Sequence, residues 1–213
     1  MSLCLEQIKR IGYSGCFQIR AHNRAVLGNV RRAGIAELKI ALKVPQRYNK
    51  IIMSAHQEFL QEFEQFARDA PTSDALMAHL AQQLHESMAR YNWIGFYLVD
   101  PADPGTLVVG RYAGSFAPNV RIPLDTGLCG AAATSGKTVV VNDVSKDPRY
   151  LSGSELVKSN MVVPIFSQNM LAAEIDVESY FVGTFTAPEQ EFVEACAAVV
   201  GAYMSKKAKP FSA

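Results

Sequence analysis

Two short stretches alternate with a period of two, and together they commit the chain to a sheet. In Ala173-Glu-Ile-Asp-Val-Glu178, a strand places Ala173, Ile175 and Val177 on one face and Glu174, Asp176 and Glu178 on the other. Trp93-Ile-Gly-Phe-Tyr97 divides the same way, with Ile94, Phe96 and Leu98 opposite Trp93, Gly95 and Tyr97. Each strand has an apolar face to bury and a second face carrying chemistry.

Helical spacing brackets the strands. Phe59, Leu60, Phe63 and Phe66 predict a helix over 54–69, ended by Ala70-Pro71. Thr72 or Ser73 caps a second helix over 74–91, with the stripe Leu76, Leu80, Leu84, Met88 and Tyr91. Strands are expected at 93–99, 106–112, 120–124, 138–142, 161–166 and 170–178. A small-residue helix is expected at 127–135 and a loop at 143–158. Thr186-Ala-Pro-Glu189 is a capping box that opens a last helix to about Met204. This order predicts an α+β domain with a largely antiparallel sheet.

The net charge of +1 conceals two different segments. Residues 1–52 hold ten Lys/Arg and two acids, while the remaining 161 residues carry a net −7. The basic segment has no sustained period. It reads as a leader, a nucleic-acid arm, a loosely packed extension or a mis-assigned start ahead of Met53. The domain is therefore expected at 53–206, with a tail at 207–213. Its acidity argues against nucleic-acid binding, and no apolar run reaches the ~20 residues of a membrane helix. Cys4, Cys16, Cys129 and Cys196 form no CxxC or metal-ligand spacing, and the four His are scattered. Free thiols in a cytoplasmic setting, with neither metal nor cofactor, are expected.

Three groups of residues invite chemistry, each with an ordinary structural alternative. Trp93 and Tyr97 flank Gly95 as a pocket wall would, or as plain sheet packing does. Glu174, Asp176 and Glu178 suit an ammonium group or a metal, or form a solvated strand face. Cys129 follows Gly127 at the start of a short helix, where the helix dipole lowers a thiol pKa; alternatively it is a small buried residue.

Taken together, Asn92-Trp-Ile-Gly-Phe-Tyr97, Val120-Arg-Ile-Pro123, Gly127-Leu-Cys-Gly130, Val162-Val-Pro-Ile165, Ile175-Asp-Val-Glu-Ser179, and Phe185-Thr with Glu189 resemble GAF domains of the free methionine-(R)-sulfoxide reductase type. The resemblance covers about residues 54–205. It implies a GAF/PAS-like antiparallel sheet, with terminal helices on one face, a loop-covered ligand pocket on the other, and a homodimer. It further implies an aromatic pair at Trp93 and Tyr97, an ammonium site at Asp176 and Glu178, and a pocket position at Asn160, where the family has glutamate. Active members use thiol chemistry, yet family cysteines fall here on Asn119 and at about Gly153. Only Cys129 remains. The expected function is thus a small-molecule binding module for an amino-acid-like ligand, a catalytically impaired relative of those reductases. The alternative is a reductase using Cys129 with an external thiol such as thioredoxin.

Overall fold

The computed structural model describes residues 46–115, 118–151 and 153–207, with side chains from Ile52 onward. Most of the basic extension, including Cys4 and Cys16, and most of the expected tail lie outside the described residues. The chain divides into Met1–Glu58 and Phe59–Ala213, and the second unit contains the whole sheet.

Chain order is α1 (Gln46–Asp69), α2 (Ser73–Ser87), β1 (Trp93–Asp100), β2 (Asp103–Gly114), β3 (Arg121–Pro123), α3 (Gly127–Ser135) and β4 (Val139–Val141). A 3₁₀ turn (Val144–Lys146), β5 (Ser159–Ser167), β6 (Met170–Ser179) and α4 (Ala187–Lys207) complete it. The six strands form one sheet in the order β3-β2-β1-β6-β5-β4, with every neighbouring pair antiparallel.

The local signals act where their chemistry requires. Thr72 caps α2 by accepting from the Ala75 N–H. Glu189 accepts from the Thr186 N–H at 3.3 Å and from the Thr186 hydroxyl, forming one half of the capping box. Gln168 and Asn169 both have positive φ, the backbone that a tight β5–β6 hairpin requires. The Gln168 N–H also donates to Ser205 Oγ on α4, at 3.1 Å.

Two helix boundaries differ from expectation. Helix α1 begins at Gln46, ahead of Ser54, directly after Pro45, a residue suited to precede or open a helix. Helix α2 stops at Ser87 because Met88 turns extended; Tyr91, expected as its last turn, lies beyond it in the core.

The sheet separates two apolar clusters. On its helical face, Leu76, Leu80 and Leu84 pack with Ile94, Phe96, Ile175, Val177, Phe192, Cys196 and Val200. The Phe59 ring meets Phe192 edge-on at 5.3 Å, and Tyr203 donates to the Ala70 carbonyl at 2.7 Å. These contacts tie α4 to the first helical hairpin. The opposite face carries a smaller cluster around Trp93, Tyr97, Ile122, Leu128, Cys129 and Val162. Among the described residues, no helix is long and apolar enough to cross a membrane.

Helix α4 lies so close to β5 that only glycine fits at 201. A Cβ there would stand 2.4 Å from the Phe166 carbonyl oxygen. Gly201→Ala is therefore expected to cost about 2 kcal/mol. Thermal unfolding of the variant would show this as a Tm several degrees lower, with the secondary structure retained.

Candidate functional site

Pairing of β1 with β6 sets Trp93 opposite Glu178 and Tyr97 opposite Glu174. Pairing of β6 with β5 sets Asn160 opposite Glu178. These side chains occupy the sheet face away from α2 and α4, under a cover made by α3 and the loops around Asn119 and Tyr150. A cavity of about 30 Å³ lies between sheet and cover. Trp93, Tyr97, Cys129, Asn160, Asp176 and Glu178 all line it, so the residues singled out from sequence converge on one place. Asn119 and Gly153, on or near which the resemblance places cysteines, line it as well.

The aromatic wall is closed more tightly than the Trp-x-Gly-x-Tyr pattern implies. The indole of Trp93 covers Gly95, where a Cβ would fall 2.0 Å from the ring. Tyr112 stacks on Trp93 at 5.8 Å, and the Tyr97 hydroxyl donates to the Asn119 carbonyl at 3.0 Å. The glycine makes room for the tryptophan and does not leave an open gap.

The solvated reading of the acidic face does not hold. Glu174, Asp176 and Glu178 are 0%, 7% and 5% exposed, because α3 and the loop through Tyr150 lie over them. Asn160 Nδ2 donates to Asp176 at 2.5 Å, and the Tyr150 hydroxyl donates to Glu178 Oε1 at 3.2 Å. Glu178 Oε2 and both Glu174 oxygens have no hydrogen-bond partner. Burial raises all three carboxyl pKa values, opposed by the few donors present: Asp176 to about 7, Glu174 to about 8 and Glu178 to about 9. Among the described residues, no Lys, Arg or His lines the cavity to compensate them.

Cys129 takes the buried alternative. It does sit in the first turn of α3, but burial pushes its thiol well above the ordinary range. Asp176, Glu174 and Glu178 push in the same direction, and together they outweigh the helix dipole. The thiol lies alongside Glu174, near enough for each to affect the other's titration but outside hydrogen-bond geometry. Cys196 is in the helical-face core, on the other side of the sheet, as its Ala/Val surroundings imply.

The loop gave no sign of Tyr150, since only the fold carries it over β6. The α3 first turn also faces the cavity through Thr126, Gly127, Leu128 and Cys129, and Thr126 makes no side-chain cap. Its leading N–H groups have no intrahelical acceptors. The cavity therefore has carboxyls of β6 on one side and the first turn of α3 on another.

Buried carboxyls with raised pKa values make stability pH-dependent. Above the ordinary carboxyl range the unfolded chain releases protons that the native state still holds, so stability falls as pH rises toward about 8. Glu174→Gln removes one such group with little change of shape. Its stability gain is expected to grow from about pH 5 to about pH 8, level off above, and reach on the order of 2 kcal/mol. Thermal melts of both proteins across this range would measure it.

The GAF domain family matches residues 72–204. The free methionine-R-sulfoxide reductase of Escherichia coli is 30% identical over 117 residues, 55% of this chain and 68% of that protein. Protein ZMO0507 of Zymomonas mobilis is 35% identical over 131 residues, 61% of this chain and 79% of its own. The crystal structure of the Neisseria meningitidis free methionine-R-sulfoxide reductase, in complex with its substrate, superposes with a TM-score of 0.68 at 31% identity. The match covers 74% of this chain and 93% of that one. The curled antiparallel sheet, the helices on one face and these relatives lead to one assignment: the chain belongs to the GAF domain family, with free methionine-R-sulfoxide reductases among its homologues.

Proposed function

We propose that the domain binds a small amino-acid-like zwitterion of the methionine sulfoxide type, and that it is a catalytically impaired relative of the free methionine-R-sulfoxide reductases. The observation that carries this is the two-walled cavity. Asp176 and Glu178 offer acceptors for an ammonium group, and the first turn of α3 offers N–H donors for a carboxylate. Trp93, Tyr97 and Ile122 supply apolar surface for the side chain between them. The Neisseria relative, crystallised with its substrate, supports a small-molecule ligand.

At about 30 Å³ the cavity has room for about two waters. An amino acid enters by displacing the cover, and its ammonium takes the place of the Tyr150 hydroxyl at Glu178. Impairment rests on the thiol inventory. Cys129 is the one thiol at the cavity among the described residues, with burial and three carboxyls against its ionisation. The module works as a homodimer in a reducing cytoplasm, where Cys129 stays a free thiol.

Titration calorimetry with L-methionine and its sulfoxides should give a saturable complex. Asp176→Asn should weaken it at least tenfold, the loss expected when a charged acceptor is removed from an ammonium. A panel with no binder and an unmoved Trp93 emission would overturn the reading.

The position of Cys129 on the cavity wall favours a second reading, reduction of the sulfoxide. Cys129 would attack the sulfoxide sulfur, leaving the thioether and a Cys129 sulfenic acid; an external dithiol such as thioredoxin would return the thiol with loss of water. Thioredoxin-coupled turnover decides between them. Binding without turnover is expected; turnover abolished by Cys129→Ser would establish the reductase instead.

A further inference from the structure

We propose that ligand recognition in this cavity is a cation-for-proton exchange: as a ligand ammonium seats against Asp176 and Glu178, about one proton leaves the pair for solvent. This rests on the amino-acid-binding reading above and adds what that reading lacks, the protonation state in which the cavity waits and the class of ligand that can change it.

The argument begins with what surrounds the three carboxyls. From β1 they face Trp93 and Tyr97; from β5, Asn160, Val162 and Pro164; from α3, Cys129; from the covering loop, Tyr150. The titratable groups in that set are two phenols and a thiol, each neutral in its protonated form. None of the lining residues carries a positive charge. Three carboxyls buried on one strand face have no countercharge among the described lining residues.

Hydrogen-bond supply is equally short. The Asp176 carboxyl receives Asn160, and Glu178 receives Tyr150 on one oxygen. Glu178 Oε2 stands unpartnered at the cavity wall on a residue 5% exposed. Glu174 receives nothing and does not reach the cavity. A buried carboxyl without donors is more stable neutral, so the empty cavity retains protons. Burial, and for Glu178 the nearby Asp176, raise both pKa values, so the pair keeps a proton near neutrality. Among the described residues no group of three His, Cys, Asp or Glu side chains is placed to hold a metal ion.

An arriving ammonium is both the missing charge and the missing donor. It favours the doubly ionised pair, and the displaced proton passes to the buffer. Glu174, cut off behind Cys129, keeps its proton through the cycle and spares the strand a third charge. The exchange also selects the ligand: a free amine can drive it, whereas an N-acylated amino acid cannot.

The test is calorimetry of the full-length protein with L-methionine sulfoxide at about pH 7, in phosphate and in Tris, whose ionisation heats differ. Release of about one proton per ligand is expected, with affinity rising up to about tenfold per pH unit through neutrality to about pH 9 and levelling above it. Glu174→Gln should keep this count, Glu178→Gln should lose it, and N-acetyl-methionine sulfoxide should show no such pH dependence. Binding with no net proton release would overturn the exchange while leaving amino-acid binding intact. Absence of any binding would overturn the binding reading instead. Infrared difference spectra then still decide the resting state: a protonated-carboxyl band at pH 7 that Glu178→Gln diminishes supports the proton store, and an unchanged spectrum overturns it.

Discussion

The antiparallel pairing of β1 with β6 at the centre of the sheet is the constraint on which the rest depends. It fixes both strands' alternation in one register, so Ile94, Phe96, Ile175 and Val177 fall together on the face that α2 and α4 cover. The same register obliges Trp93, Tyr97, Glu174, Asp176 and Glu178 to share the other face. A one-residue slip would put the carboxylates under the helices and the aliphatic row under the cover. The site is thus the reverse side of the hydrophobic core.

That arrangement concentrates energetic cost in a small volume. The helical face buries a large apolar cluster, whose stabilisation offsets that cost. The opposite face buries three carboxyls with few donors and no cation, and holds a thiol beside them. A fold selected for stability alone would place valine or leucine at such positions. Retained polar groups in a covered cavity fit a ligand that completes their hydrogen bonds and charge. The GAF family membership and the reductase homologues agree with a small polar molecule there.

Cys129 shows how two local influences compete. The first turn of α3 alone would favour its thiolate, since helix dipoles and free N–H groups stabilise anions. Three carboxyls on the facing strand act oppositely, and exclusion of water strengthens them. Burial prevails, because stripping water from a thiolate costs more than a dipole of about half a charge returns, and the facing carboxyls add to that cost. The same environment that suits an ammonium ligand thus disfavours a nucleophilic thiol.

Much of the fold was legible in the residues themselves. Period-two alternation assigned faces in 93–98 and 173–178, Thr72 and the Thr186–Glu189 box marked helix starts, and the α3 limits at 127 and 135 followed from small residues between glycines. The motifs also named the residues that meet at the cavity. Those properties depend on neighbours a few positions away, which is why sequence carries them. Whether Glu174, Asp176 and Glu178 are wet or buried, and whether Cys129 is a thiol or a thiolate, was left open. Both answers depend on α3 and Tyr150 being brought over β6 from elsewhere in the chain, and on the charges that then face each other. Burial and electrostatics are properties of distance in space, and only the tertiary structure decides them.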